Sequence, residues 1–501
     1  MLIPSPNFHL TTGHKVFKLP PHMTLGKLLV VLALMAGLPS VSCPAQTFTL
    51  LHSFAPVVSG TNADGDFPFA QLAQSGGVLY GTTFNAGANS NGTVFAVYTD
   101  GSGFTNLHVF SARGGLLHTN ADGATPGSGV VVSGNVLYGT TGAAGPLHLG
   151  TVYAMNLDGT GYTNVHVFGG NNDGNSTLGG LVISGGRLYG NSQSGGTNGY
   201  GMIFGVNTDG SAYTNLHSFA SLTSGTNSDG IQPLATLAIY GTNLFGACSG
   251  GGAAGSGTAF RMNTDGSGFT NLHVFSALVA GTNSDGKMPY FGGLTVSGTN
   301  LFGTTRLGGA GGNGVLYRLN LDGSGFTNLH SFTAANNFTN ADGVYPFGSL
   351  FSSGNTLYGT AAGGGPTTNG TVFVVNPDGS GFKVLYNFSH LPNLTNADGA
   401  VPVSVILSSN TLYGVAHTGG SGGSGAVFSL FVPPPLNLNF SGGRAVLAWP
   451  TNADGFTLQS AGNLSATAAW TPVTATAINT NGQYVLTNTL SEGHIFYRLA
   501  R

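Results

Sequence analysis

The sequence predicts an all-β protein whose main part is a seven-bladed β-propeller, and three observations support this prediction. A Leu-His-Ser/Val-Phe motif, or a close variant of it, recurs seven times at spacings of 51 to 58 residues. Two other markers, Leu-Tyr/Phe-Gly and a Gly-x-x-Phe/Tyr block, recur equally often. Each copy contains four short β-type runs separated by turn residues, and none contains the periodicity of an amphipathic helix.

The second copy shows the four runs in order. They are GSGVVVS (127–133), VLYGTT (136–141), GTVYAMN (150–156) and YTNVHVF (162–168). Runs joined by turns of this kind pair as antiparallel hairpins, so each copy predicts one four-stranded sheet. In the equivalent run GTVFAVY (92–98) apolar side chains point both ways, so each sheet is expected to be covered on both faces.

Seven sheets that need neighbours on both faces close naturally into a ring. A solenoid is the alternative, but solenoids need special end repeats, and the first and last copies here are ordinary ones. The array opens with a fourth-strand sequence, TFTLLHSF (47–54), and ends with a third-strand sequence, GAVFSLF (425–431). We therefore expect the N-terminal strand to pair beside the last strand and to close the propeller, which spans 46–432.

Residues 1–45 have the order of a secretory signal peptide. Lysines precede a short apolar run (28–37), and small residues follow it. Cleavage is expected after Ala45, and Met23 is a candidate for the true start. A retained anchor helix is the alternative, although the apolar run is too short to cross a bilayer comfortably. The protein is thus expected to be exported, with an extracellular, cell-surface or periplasmic location and no membrane span after the signal is removed.

The chain contains two cysteines, Cys43 and Cys248. Cys43 lies in the signal region, so the mature chain is expected to keep one thiol and to form no internal disulfide. Lipid modification of Cys43 is an alternative, although the branched residue usual three positions before a lipoprotein cysteine is absent.

The C-terminal part begins after a stiff proline linker (433–435). Residues 436–501 again contain short β-runs split by Gly and Asn, and they include Trp449 and Trp470. They predict a small β-sandwich of the fibronectin or immunoglobulin kind. A packing role and a secretion or docking role both remain open for it.

Charge and carboxylate content exclude several functions. Charged residues make up 6% of the chain and the net charge is −3, so a nucleic-acid partner is not expected. Fifteen Asp and one Glu are present, and nearly all of the Asp lie in repeated turns. A glycosidase or lyase needs individually placed carboxylates, so we predict no catalytic residue.

Two repeated Asp-Gly turns hold most of the aspartates. In each, Asp is expected to accept hydrogen bonds from backbone N–H groups two residues on, while Gly takes a positive φ. The alternative for the Asn-x-Asp-Gly turn is calcium, although the distant bidentate Glu of an EF-hand is missing. No cofactor is predicted beyond that possibility. The calcium candidates are Asp64, Asp122, Asp229, Asp285, Asp342 and Asp398.

One histidine per copy invites a metal interpretation, because imidazole is a common ligand. Equivalent positions in a ring are separated by the blade spacing, so these residues are expected instead on outer strands, bonded to a neighbouring blade. They are His52, His108, His166, His217, His273 and His330, with Tyr386 in the seventh copy.

The recurring LYGTT, GGxxGxGTVF and DGSGFTNLHxF motifs, with TNADG between them, resemble the GloVer (Gloeo/Verruco) tandem repeats of exported bacterial proteins with variable anchoring. The resemblance covers about 46–432. It implies export and a propeller-like repeat, and no shared reaction. The third copy departs from the pattern with NNDGNST, and the seventh with Tyr386.

These features predict a monomeric exported protein that binds or scaffolds without catalysis, with a polysaccharide or a surface protein as its partner. Its ligand-binding residues are not identifiable, and the rim loops GANSNG, GGTNGYG and GGPTTNG are candidates. A carbohydrate-active enzyme is the alternative, and it should gather its irregular residues at one mouth of the ring. Those residues are Arg113, His118, His148, Arg261, Arg306 and Arg318.

Overall fold

The structure is a computed structural model that describes residues 46–434, 436–441, 444–451, 453, 455–462, 469–480, 483–489 and 495–500. The expected signal peptide with Cys43 lies outside these residues, as does Asp454. Gln46–Val432 forms one compact unit, and the chain after Val432 belongs to another. In the part of the chain described, no helix has the length and apolarity needed to cross a membrane.

The unit Gln46–Val432 is built from antiparallel sheets, numbered here 1 to 7 in chain order, one for each sequence copy. Sheets 1 and 6 each contain an additional short strand. Two short 3-10 helices, Asn171–Asp173 and Pro392–Leu394, lie in connectors. The strands are Asp66–Pro68, Ala73–Ser75, Val78–Asn85, Thr93–Tyr98 and Thr105–Val109 in sheet 1; Val131–Ser133, Val136–Thr141, Thr151–Asn156 and Thr163–Val167 in sheet 2; Val182–Ser184, Arg187–Ser192, Met202–Asn207 and Thr214–Ser218 in sheet 3; Ala238–Tyr240, Asn243–Cys248, Thr258–Asn263 and Thr270–Val274 in sheet 4; Thr295–Ser297, Asn300–Thr305, Val315–Asn320 and Thr327–Ser331 in sheet 5; Val344–Pro346, Phe351–Ser353, Thr356–Gly363, Thr371–Val375 and Lys383–Asn387 in sheet 6; and Ala400–Ser408, Thr411–Thr418, Ala426–Phe431 and Thr47–Ser53 in sheet 7.

Sheet 7 joins the two ends of the unit. Its last strand is the N-terminal segment Thr47–Ser53, which pairs antiparallel with Ala426–Phe431. Thr47 lies opposite Phe431 and Ser53 lies opposite Ala426. The predicted pairing of the two terminal strands is therefore confirmed.

Apolar clusters lie between successive sheets. Tyr80 of sheet 1 and Leu137 of sheet 2 share one cluster, and equivalent clusters join each following pair of sheets. Val427 of sheet 7 lies in a cluster with Leu72 and Phe95 of sheet 1. Each sheet is thus covered on both faces, as expected, and the clusters connect the sheets in a closed order.

A repeated glycine and a repeated proline help to fit neighbouring sheets together. Gly425, at the start of the third strand of sheet 7, has φ of 103°. A Cβ placed on it would lie 2.5 Å from Cδ of Pro68, in the first strand of sheet 1. Both the backbone conformation and the neighbouring proline therefore require glycine at this position.

The chain after Val432 forms two antiparallel sheets with a common apolar cluster that includes Leu447, Trp449 and Leu499. The four-stranded sheet contains Asn437–Ser441, Arg444–Pro450, Gln483–Thr489 and Ile478–Thr480. The three-stranded sheet contains Thr471–Pro472, Thr457–Ala461 and Phe496–Ala500.

Candidate functional site

One group of side chains fastens each connector between sheets, and we name it the connector clasp. In the clasp after sheet 1, His108 Nε2 lies 2.8 Å from Asp122 Oδ2. The Ser111 backbone N–H donates to the same oxygen at 3.1 Å. The His108 ring stacks on Tyr162 of sheet 2, with 4.1 Å between centroids. The histidine lies on an edge strand, as expected, but its hydrogen bond goes to the connector, and it contacts the next sheet by ring stacking.

Every copy keeps this carboxylate contact. The shortened third connector retains it through His166 and Asp173 at 2.8 Å. In the seventh copy the Tyr386 hydroxyl donates to Asp398 at 2.8 Å, and its ring stacks on Phe48. Tyrosine makes the same two contacts as the histidines of the other copies. The position therefore needs a flat ring that carries a hydrogen-bond donor. The remaining pairs are His52–Asp64, His217–Asp229, His273–Asp285 and His330–Asp342.

The connector turn itself is held by asparagine. Asn120 Oδ1 accepts from the Gly123 N–H at 2.9 Å and from the Gly145 N–H at 2.7 Å. The prediction that the connector aspartate accepts from an N–H two residues on is therefore wrong, because Asp122 faces His108 instead. Asn120 takes over the turn and also ties the connector to a loop of sheet 2.

The second Asp-Gly turn behaves as predicted. Asp100 Oδ1 accepts from the Ser102 N–H at 2.9 Å and from its hydroxyl at 2.7 Å. These two bonds hold the pKa of Asp100 below its usual value. The same pattern occurs at Asp158, Asp209, Asp265, Asp322 and Asp378.

The calcium candidates all lie in connector clasps. For Asp122, burial raises the pKa, but hydrogen bonds from His108 and Ser111 outweigh it and hold the pKa below its usual value. Within the described residues, no group of three or more His, Cys, Asp or Glu side chains is arranged to hold a metal ion. A calcium ion at Asp122 would have to compete with His108 for the carboxylate. The calcium candidates that make clasp contacts are Asp64, Asp122, Asp229, Asp285, Asp342 and Asp398.

A different set of residues surrounds a cavity of about 470 Å³, which one segment from each sheet or its connector lines. Two positions of the repeat that lie outside the lining of this cavity carry different side chains from copy to copy. Five residues after the leucine of Leu-Tyr/Phe-Gly stand Phe84, Gly142, Gln193, Ser249, Arg306, Ala362 and His417. At a second position, three residues after each clasp aspartate, φ is positive (52° to 63°) although no residue is glycine. This position carries Phe67, Thr125, Ser176, Gln232, Met288, Tyr345 and Val401.

Aromatic residues from four sheets or their connectors meet beside this cavity. Phe69 lies 4.9 Å from Phe291, 5.6 Å from Phe347 and 5.2 Å from His417 between ring centroids. His417 also stacks on Phe67 at 4.7 Å. We name these five residues the aromatic opening. Since sheet 1 does not neighbour sheets 5 and 6, Phe69 reaches residues on the far side of the cavity.

Two titratable groups are associated with the aromatic opening: His417 belongs to it, and Asp66 directly precedes Phe67 in the chain. Asp66 is buried, and burial raises its pKa to about 6 against opposing hydrogen bonds with Phe67 and Ser424. Burial lowers the pKa of His417 to about 4, opposed by a hydrogen bond with the Pro68 backbone. His417 Nδ1 has no hydrogen-bond partner among the described residues. Both groups lie outside the repeated clasps.

Arg306 lies next to the aromatic opening. Its guanidinium carbon is 5.3 Å from the Tyr290 ring centroid and 5.4 Å from that of Tyr345. Tyr290 in turn contacts Phe291 at 4.4 Å. Cation–π contacts of this kind orient an arginine without neutralising it.

The other irregular residues lie elsewhere. Arg113, His118 and His148 are exposed, and Arg113 donates to Asn91. The pKa of Asp322 and of Asp378, in Asp-Gly turns of the following sheets, is lowered mainly by hydrogen bonds from the turn serine. Arg261 and Arg318 add a smaller lowering of the same pKa values.

Sequence reasoning identified Arg306 but missed His417, which occupies the equivalent position of sheet 7. It also missed Phe67, Phe69 and Phe347. A comparison of the seven copies position by position marks the positions of His417 and Phe67 as variable, but it does not show that these residues meet Phe69 and Phe347.

Two asparagines of the candidate rim loops have structural roles. Asn89 and Asn198 donate to the carbonyl oxygens of Phe110 and Phe219, so these amides fasten the loops to their own sheets.

Cys248 is a buried free cysteine, and burial raises the pKa of its thiol well above the usual value.

Comparison with known proteins gives one family. The model of the Gloeobacter/Verrucomicrobia repeat matches residues 40–243, 115–285, 185–337 and 243–435. No functionally curated protein matches the chain.

Two solved structures are similar to the chain at low sequence identity. An oligogalacturonate lyase from Vibrio parahaemolyticus is 11% identical, with a TM-score of 0.47, over 78% of this chain and 95% of its own. A puromycin-hydrolysing peptidase of Mycobacterium tuberculosis is 10% identical, with a TM-score of 0.43, over 78% of this chain and 61% of its own. Similarity at this level carries no information about activity.

Proposed function

The chain belongs to the Gloeobacter/Verrucomicrobia repeat family, and we propose that it is an exported, seven-bladed β-propeller that binds a polysaccharide at its aromatic opening. The seven sheets and the closed order of their apolar clusters support the propeller. The two sheets after Val432, which share one cluster, support a small β-sandwich.

The observation that carries the binding proposal is the aromatic opening. Aromatic rings offer flat apolar faces to sugar rings, while neighbouring polar groups supply hydrogen bonds. Phe67 and Phe347 are partly exposed, and Phe347 also lines a pocket of about 550 Å³ that holds Arg306 and Tyr345. The repeated clasps offer no comparable surface, since their rings and carboxylates are already engaged with one another.

A polysaccharide array probed with the full-length protein tests this proposal. We expect binding to a subset of polysaccharides, with a loss of binding in Phe347→Leu. Leucine is the residue that sheet 3 carries at the equivalent position, Leu178, so the variant should fold. Binding that is absent from the whole array, or unchanged in Phe347→Leu, would contradict the proposal.

Asp66 and His417 favour a second candidate function, an enzyme that acts on polysaccharide. Shifted pKa values in a cleft are typical of acid–base residues. His417 belongs to the aromatic opening, and Asp66 directly precedes its member Phe67. Incubation of the bound polysaccharide with the protein distinguishes the two. A binder releases no new chain ends, whereas an enzyme releases them and loses activity in Asp66→Asn.

Export has its own test. Mass spectrometry of the N terminus of protein recovered from the producing bacterium should find Gln46 as the first residue. A first residue of Met1 or Met23 in the recovered protein would contradict export by signal cleavage.

A further inference from the structure

Arg306 differs from the residues at its equivalent positions. It directly follows the strand Asn300–Thr305, where the other copies carry Phe84, Gly142, Gln193, Ser249, Ala362 and His417. It is therefore the one permanent cation at that position of the ring. Its place between Tyr290 and Tyr345 fixes the guanidinium beside the aromatic opening.

The charge of Arg306 is not neutralised by the protein. In the described part of the chain, the ion pairs are those between clasp histidines and aspartates. Of the other arginines in the same unit, Arg113 donates to Asn91 and Arg187 donates to Asn207 at 3.5 Å. Arg261 and Arg318 each lie near the carboxylate of an aspartate in the following sheet. No such hydrogen bond is made by the Arg306 guanidinium to the residues described.

The pocket around Arg306 has room for a sugar residue. Its volume is about 550 Å³, and its lining includes Arg306, Tyr345, Phe347, Asn337 and Thr368. Asn337 and Thr368 are exposed and carry an amide and a hydroxyl. Tyr345 and Phe347 supply aromatic faces. A charged donor, neutral hydrogen-bonding groups and rings thus line one pocket.

We propose that this pocket is a subsite for an oxyanion substituent on an acidic polysaccharide, either a carboxylate or a sulfate ester. A guanidinium presents paired N–H donors that match two oxygens of such a group. The rings hold the guanidinium in place before the ligand arrives, which reduces the ordering cost of binding. This inference rests on the proposed function, since it assigns a substrate class to the same opening.

A matched series of polymers tests the inference: dextran, carboxymethyl-dextran and dextran sulfate, each titrated against the full-length protein. We expect tighter binding of at least one charged polymer than of dextran. Arg306→Gln, which copies Gln193, should weaken that binding about 10- to 100-fold, the range for a hydrogen bond to a charged group, and leave dextran unaffected. Arg306→Lys should fall between the two. The charged polymer that responds identifies carboxylate or sulfate as the preferred group.

The anion subsite would be overturned if the wild type bound all three polymers equally, or if Arg306→Gln bound the charged polymer as tightly as the wild type does. Either result would leave polysaccharide binding intact. If no polymer binds, protection of arginine from phenylglyoxal, read by mass spectrometry, tests the subsite separately. Galacturonate or sulfate should protect Arg306 and not the exposed control Arg113. Absence of protection by both anions would overturn the inference.

Discussion

The connector clasps and the aromatic opening are built from the same seven copies but follow opposite rules. In the clasps the chemistry is kept even when a residue changes, as when the Tyr386 hydroxyl replaces a histidine as donor to Asp398. At the position of His417, which belongs to the opening, other copies carry residues as different as Gly142 and Arg306. The comparison indicates that repetition maintains the assembly of sheets, whereas departure from repetition builds a site.

Removal of the closing strand should break the assembly most severely. Deletion of 47–54 exposes the edge of Ala426–Phe431 and removes Phe54, which is fully buried. Truncation of a buried phenylalanine to alanine alone costs about 3–5 kcal/mol, so the deletion should lower the free energy of unfolding in urea by more than that. A peptide of residues 46–55 added to the deleted protein should restore stability, and a scrambled peptide should not. Wild-type stability without the peptide would contradict ring closure.

A single clasp should be the next largest contribution. Asp122→Ala leaves His108 and the Ser111 N–H without their acceptor, so we expect a loss of about 2–3 kcal/mol in urea unfolding. Asp100→Ala, in an exposed turn, is the matched control and should lose far less. Equal losses in the two variants would mean that the clasp has no special role.

The stability of the protein should depend on pH through Asp66 and His417, whose effects run in opposite directions. Asp66 has a folded pKa of about 6, above its unfolded value, so it destabilises the wild type as pH rises from about 4 to 6. His417 has a folded pKa of about 4, below its unfolded value, so it destabilises the wild type as pH falls from about 6.5 to 4. Asp66→Asn should therefore raise the free energy of unfolding at neutral pH, and His417→Gln should raise it at acid pH. Each gain should be about 1–2 kcal/mol after allowance for solvent. Thermal midpoints between pH 4 and 7 that shift in the same direction for both variants would contradict these assignments.

The smallest effect concerns a repeated core position. Tyr153 stands where sheets 1, 3, 4, 6 and 7 carry phenylalanine, and its buried hydroxyl has no hydrogen-bond partner among the described residues. Tyr153→Phe should therefore stabilise the protein by about 1 kcal/mol. Tyr162→Phe is the control, because the Tyr162 hydroxyl donates to the Asp122 carbonyl at 2.7 Å, and it should destabilise by a similar amount. A loss of stability in Tyr153→Phe would indicate a bond to this hydroxyl that the structure lacks.

The sequence could predict the features that local chemistry determines. Strand runs, Asp100-type turns and the pairing of 47–54 with 425–431 follow from apolar patterns, turn residues and the strand missing from the last copy. The aromatic opening could not be predicted in this way. Phe69 and Phe291 are ordinary apolar residues in their own segments, and they meet only because the sheets surround one cavity. The contact of Asp122 with His108 could not be predicted from the Asp-Gly pattern either, because it depends on how the connector folds back onto the preceding strand.

Paired measurements of polysaccharide affinity and thermal midpoint in Phe347→Leu and Asp122→Ala test the central claim most directly. If the aromatic opening binds the polysaccharide and the connector clasps stabilise the fold, Phe347→Leu loses affinity and keeps its thermal midpoint. Asp122→Ala, measured below its lowered midpoint, keeps its affinity. The reverse pattern, with binding lost in folded Asp122→Ala and retained in Phe347→Leu, would contradict the claim.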